Sequence, residues 1–100
     1  MPNPERPHYT LQIAKSEQKV LERLPKDLLQ RIRRTVNRLA DEPRPVGCKK
    51  LAGFDNYFRI RVGDWRITYA IFDDVLIVLV VEVAPRGDAY RHLRVHNTSK

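Results

Sequence analysis

One cysteine in 100 residues, Cys48, rules out an internal disulfide, and no Cys/His spacing in the chain resembles a metal site. Long apolar runs are missing too. Val75 to Val83 is the most apolar stretch, and it falls far short of the roughly 20 residues that a membrane-spanning helix needs. An apolar secretory segment is absent from the start, where Met1 to Arg6 carries prolines and charges, so a cytoplasmic protein is expected. Acidic side chains are scarce: 12 Asp and Glu stand against 19 Lys and Arg, and the net charge of +7 favours nucleic acid or an acidic protein as partner. Residues 1 to 50 hold most of the excess, with 12 basic and 6 acidic side chains, where a solvated helix face is explanation enough. Position therefore decides more than the sum.

The hydrophobic fraction of 42% supplies one core and not two, so residues 1–100 are expected to form a single domain with flexible ends at 1–7 and 95–100. His8 to Ile13 alternates, with Tyr9, Leu11 and Ile13 apolar, and predicts a first strand. From Ser16 the period changes. Val20, Leu21 and Leu24 fit a short helix capped by Ser16 and ended by Pro25. A longer helix follows to about Asp41, with Leu28, Leu29, Ile32, Val36, Leu39 and Ala40 on one stripe and Arg31, Arg33, Arg34 and Arg38 elsewhere. The two prolines and the glycine of Glu42 to Lys50 predict an irregular loop.

Tyr57-Phe58-Arg59-Ile60-Arg61-Val62 again has period two, and Gly63-Asp64 suits a type II′ turn whose first central residue needs positive φ. Val62 then pairs with Trp65, Arg61 with Arg66, and Arg59 with Thr68. Phe58, Ile60, Val62, Trp65, Ile67, Tyr69 and Ile71 face the core; Tyr57, Arg59, Arg61, Arg66, Thr68 and Ala70 face outward. Neighbouring like charges destabilise a sheet, so the three arginines ask for an anion. Asp73-Asp74 marks another tight turn. Val75 to Val83 is β-branched and evenly apolar, which predicts a central strand covered on both faces, with Val75, Ile77, Leu79, Val81 and Val83 beside the arginines. Pro85 and Gly87 close it, and Asp88 to about Leu93 fits one helical turn. The order β, α, α, β, β, β implies a two-layer α+β domain, with a four-stranded sheet, a helical hairpin on one face and the other face open.

These residues resemble the RelE/ParE superfamily of toxins from bacterial and archaeal toxin–antitoxin pairs. The resemblance covers nearly the whole chain. It rests on Leu39 with Pro43, on Lys49-Lys50-Leu51-Ala52-Gly53, on the run from Tyr57 through Arg59-Ile60-Arg61-Val62-Gly63-Asp64-Trp65-Arg66 to Tyr69, and on Ala84-Pro85-Arg86-Gly87-Asp88-Ala89-Tyr90. It implies a mostly antiparallel sheet and a RelE-like messenger-RNA endonuclease that acts in the ribosomal A site, without metal or small-molecule cofactor, and is neutralised by an antitoxin. The functional positions of RelE-like toxins fall here on Arg59, Arg61, Arg66, Arg86 and Tyr90. Lysines stand in the best-known members where this chain has Arg59 and Arg61.

Cleavage of that kind uses the 2′-hydroxyl against the adjacent phosphate. Arginine binds phosphate oxygens through its planar fork but, with a pKa above about 12, does not accept a proton. Tyr90, whose phenolate nearby guanidinium groups would favour, and secondarily His92 are the proton-transfer candidates. Lys49 and Lys50 are candidates to steer RNA, and Tyr57, the one outward aromatic of the hairpin, is the third candidate RNA-binding residue. Trp65 and Tyr69 read as core, Asp64 as a turn residue, and Cys48, His8 and His96 as incidental. Two other functions compete: a ParE-like inhibitor of DNA gyrase without nuclease activity, and a non-catalytic RNA-binding module, for which more exposed aromatics would be expected. The antitoxin should offer an acidic amphipathic segment, the other partners being ribosome and messenger RNA.

Overall fold

A computed structural model describes residues 8–85, so Arg86, Tyr90, His92 and His96, and the helical turn expected near 88–93, lie outside the described residues. Five strands and two helices follow one another: β1 (Thr10–Ile13), α1 (Lys15–Glu22), α2 (Lys26–Arg38), β2 (Lys49–Lys50), β3 (Tyr57–Val62), β4 (Trp65–Phe72) and β5 (Ile77–Pro85). The sheet order is β1-β5-β4-β3-β2, with β1 parallel to β5 and every other pair antiparallel. β5 is thus interior, as its apolar run predicts. The α+β class holds, but the sheet has a fifth strand. Lys49–Lys50 lies beyond the last breaker of the loop, Gly47, and pairs with Phe58 and Arg59 of β3.

The helices begin where backbone geometry, not side-chain capping, allows. Ala14 precedes α1 with an extended backbone and its carbonyl accepts the N–H of Glu17 and Gln18, so Ser16 lies inside the helix and not at its cap. Its hydroxyl donates to Glu17 Oε2 at 2.7 Å instead. Pro25 precedes α2 in the same extended conformation. Leu21, Ile32, Val36 and Leu39 then pack against Phe58, Val62, Ile67, Tyr69, Ile71, Val78 and Val80, which makes one core between the helical layer and one sheet face. Trp65 is half-buried against this cluster, and Tyr69 is fully buried, its hydroxyl donating to the Pro43 carbonyl at 2.8 Å. Burial pushes the Tyr69 phenol up, with Cys48 reinforcing the shift.

The turn between β4 and β5 is longer than a two-residue link. Leu76 adopts φ of 56°, a left-handed conformation that no strand residue takes, so β5 starts at Ile77 and Val75 stays exposed in the turn. Asp73 anchors this turn: Tyr9 donates to its Oδ1 at 2.6 Å and Arg44 donates to Oδ2 at 2.8 Å. The Arg44 guanidinium, then the Tyr9 hydroxyl, hold the Asp73 carboxyl below its usual range. Arg44 also covers the Phe58 ring, 5.3 Å from its centroid, and so ties the irregular loop to the core.

One further irregularity decides what the outer face carries. Between Thr68↔Glu82 and Tyr69↔Val80 the register shifts, leaving Val81 as an extra residue in β5. Strict alternation through Val83 therefore fails. Val83 turns to the core opposite Ile67, and Glu82 and Ala84 turn to the arginine side opposite Thr68 and Arg66. The α1 carboxylate supports this point from the side, because Glu17 Oε1 accepts the Val83 N–H at 2.8 Å beyond the end of β1.

Candidate anion-binding face

The β3–β4 register is the predicted one at every pair: Val62↔Trp65, Arg61↔Arg66, Ile60↔Ile67 and Arg59↔Thr68. Gly63 has φ of 61° and Asp64 has none in the positive range, which fits a turn opened by glycine. Directly opposed residues of antiparallel strands share a face, so Arg61, Arg66 and Ala84 form one row across the sheet. Lys49, Arg59, Thr68 and Glu82 form the next. A cleft of about 200 Å³ lies among Gly47, Lys49, Arg59, Ile60, Arg61 and Arg66. Three arginines and a lysine thus line one cleft.

The two loop lysines separate. Lys49 opposes Arg59 and lines the cleft, whereas Lys50 opposes Phe58 and so projects toward the other side of the sheet, where it is exposed. Tyr57 is half-buried and packed on Phe54, with ring centroids 5.5 Å apart, which corrects its expected exposure. The outer face is also less open than the strand pattern implies. Thr68, Ala70, Glu82 and Ala84 are all buried, and the face is exposed chiefly at Arg61. Ile77, Leu79 and Val81 remain as a half-buried apolar strip of β5.

Glu82 is the residue that pattern reading passes over. It is the one carboxylate that β3, β4 and β5 place on this face, it is 3% exposed, and Arg66 is its diagonal neighbour on β4. A signal existed. A lone charge inside an otherwise apolar strand must have a polar environment, since burying a carboxylate without one is costly. Arg61 and Arg66 can clamp an anion between strands, and Glu82 can orient guanidinium groups or accept a proton.

Comparison with known proteins agrees with this architecture. Residues 9–90 match the family described as ParE toxin of type II toxin–antitoxin system, parDE. A Methanocaldococcus jannaschii protein bearing the name toxin RelE1 is 28% identical over 87 residues, covering 84% of this chain and 97% of its own length. The toxin in the crystal structure of the archaeal RelE–RelB complex from Pyrococcus horikoshii OT3 is 30% identical, with a TM-score of 0.73 over 82% of this chain and 99% of that one. Free E. coli RelE, in a mutant form, superposes with a TM-score of 0.75 over 92% of this chain and 99% of that one, at 18% identity, and so attests the fold. With a family match that spans both helices and the whole sheet, the chain belongs to the ParE toxin family and is a type II toxin of the RelE/ParE superfamily.

Proposed function

We propose that this toxin is a RelE-like endoribonuclease that cuts messenger RNA in the ribosomal A site. The convergence of Arg59, Arg61, Arg66 and Lys49 on one cleft carries the reading. In the proposed reaction the 2′-oxygen bonds to phosphorus and the bond from phosphorus to the 5′-oxygen breaks, leaving a 2′,3′-cyclic phosphate and a free 5′-hydroxyl. One proton leaves the 2′-hydroxyl and one reaches the departing oxygen. Arg61 and Arg66, opposed across the strands, hold the non-bridging oxygens, and Arg59 with Lys49 positions the neighbouring phosphate. Arg86 and Tyr90 serve the leaving group and proton transfer. Glu82 keeps the guanidinium groups aligned from below.

The antitoxin partner follows from the same surface. Because the similar P. horikoshii toxin is seen in a RelE–RelB complex, an acidic amphipathic segment is proposed here too, lying along Ile77, Leu79 and Val81 with its carboxylates on the arginines. Purified toxin added to programmed ribosomes should give cuts in phase with codons, mapped by primer extension, that disappear when ribosomes are omitted. The ParE family match supports one other reading, inhibition of DNA gyrase. Intact messages together with toxin-dependent gyrase-mediated DNA breaks would establish that reading and refute the nuclease.

A further inference from the structure

A second basic cleft, of about 540 Å³, runs beside the hairpin between α2 and the end of β3. Its walls are Arg31, Arg34, Thr35 and Arg38 on one side and Arg61, Val62 and Gly63 on the other. The helix residues recur at three- and four-residue steps and so share one side of α2. Among the described residues β2 pairs only with Phe58 and Arg59, and no other strand pairs with that edge of β3 from Ile60 to Val62, where the cleft lies. Arg61 belongs to this cleft, to the adjoining one of about 440 Å³ at Arg38, Glu42 and Val46, and to the cleft holding Arg59 and Arg66. The basic lining is therefore continuous from α2 to the arginine face.

Two features set this groove apart from a solvated helix face. Arg31, Arg34, Arg38 and Arg61 form no ion pair among the described residues, unlike Arg44, which pairs with Asp73. The hairpin also makes room for a guanidinium. A Cβ at Gly63 would stand 3.2 Å from Arg31 Nη2, so the Arg31 guanidinium lies directly against the turn. Arg31 to Arg38 spans about 10 Å along the helix axis, enough for about two to three phosphates of one strand. Within the 540 Å³ cleft itself Val62 is the one apolar side chain, so a protein segment docking between α2 and the hairpin would find little to bury there.

We propose that this groove binds the phosphodiester backbone of an RNA strand, as an extension of the arginine face through Arg61. The binding does not require cleavage. A fluorescein-labelled 2′-O-methyl RNA 12-mer lacks the attacking hydroxyl, so its affinity reports the groove even if the toxin proves to be no nuclease. Anisotropy titrations across a salt series compare the wild type with Arg34→Gln/Arg38→Gln, with Arg34→Lys/Arg38→Lys, and with Arg33→Gln. Arg33 is the control, since it lines a different cleft between α1 and α2. With about 0.7 counterion per single-strand contact, losing two contacts should reduce the slope of log affinity against log salt by about 1.4. The affinity lost between 50 and 200 mM salt should then shrink about sevenfold. The lysine pair should keep the slope and establish that the helix is intact, and Arg33→Gln should move it by less than about 0.3. An unchanged slope in the glutamine pair, or an equal change per charge in Arg33→Gln, would overturn the proposal. Loss of poly-glutamate binding with RNA binding intact would assign the groove to an acidic protein and overturn it equally.

Discussion

Removing the carboxylate of Glu17 tests whether the bulge that turns Glu82 outward is held from α1. Glu17 is 4% exposed, accepts the Val83 N–H at 2.8 Å through Oε1, and accepts the Ser16 hydroxyl at 2.7 Å through Oε2. Val83 is itself buried at 3%, so no water replaces the lost acceptor readily. A buried hydrogen bond to a charged group is worth about 1.5–3 kcal/mol, and the orphaned amide adds its own desolvation cost. Alanine recovers only about 0.3 kcal/mol through helix propensity and forfeits a favourable charge in the first helical turn. Glu17→Ala is therefore expected to cost about 2–3 kcal/mol. Glu17→Gln keeps an oxygen for Val83 and should cost about 0.5–1 kcal/mol.

Urea unfolding read by circular dichroism checks the difference. For a slope of about 2 kcal/mol per molar, the alanine midpoint should fall by about 1 M and the glutamine midpoint by less than half of that. Hydrogen exchange supplies the local readout, because the Val83 amide should exchange faster in Glu17→Ala relative to the other β5 amides. Equal costs for the two variants, or an alanine cost below about 0.5 kcal/mol, would refute the bridge from α1 to the bulge.

Arg66→Gln should lower single-turnover cleavage on programmed ribosomes by about 10²–10³-fold, the usual loss of one transition-state anion donor, measured at a temperature where circular dichroism shows the variant folded. Glu82→Gln should slow cleavage by loosening the guanidinium groups that Glu82 aligns; an unchanged single-turnover rate would remove Glu82 from the site. Asp73→Asn tests the anchored turn. Asp73 has its carboxyl lowered from 3.8 by Arg44 and Tyr9, so its stabilisation is present above that value and disappears as pH falls through the lower folded-state value. The pair is exposed, which limits the effect to about 0.5–1 kcal/mol at pH 7. Thermal melts of wild type and variant should draw together as pH is lowered below 3.8, and a gap that did not narrow on acidification would contradict the ion pair.

The hairpin could be read from sequence because two independent signals agree at Arg59 to Arg66: strict alternation on both strands, and a Gly-X loop whose geometry fixes the pairing. The bulge could not. Val75 to Val81 is apolar at every position, so nothing in its pattern marks Val81 as supernumerary, and the face of each later residue is undetermined until β4 supplies a register. Leu76 was hidden for a related reason, since a leucine gives no hint that it will take a left-handed conformation. Ser16 misled through a real preference, because serine is a good cap, but the Ala14 carbonyl begins the helix two residues earlier. The α2 arginines look like a solvated face in one dimension. Only the packing of α2 beside β3 brings Arg31, Arg34 and Arg38 to Arg61.

Arg61 stands where these surfaces meet, and its position has opposite consequences for the free and the bound protein. In the free toxin it opposes Arg66 across the strands and shares a cleft with three helical arginines. Like charges so placed cost a few tenths to about 1 kcal/mol, and no carboxylate among the described residues pairs with Arg61 to offset them. A polyanion lying across the hairpin turns that repulsion into a clamp. Arg61→Gln should thus leave the free protein as stable as the wild type or more stable by a few tenths of a kcal/mol. Its response to RNA should shrink. An uncleavable RNA at 100 times its dissociation constant stabilises the wild type by about 2.7 kcal/mol, and a variant that binds tenfold more weakly gains about 1.4 kcal/mol at the same concentration. Differential scanning fluorimetry with and without 2′-O-methyl RNA separates the two terms. A variant that is less stable when free, or whose RNA-induced shift equals that of the wild type, would mean that Arg61 serves the fold and not the anion.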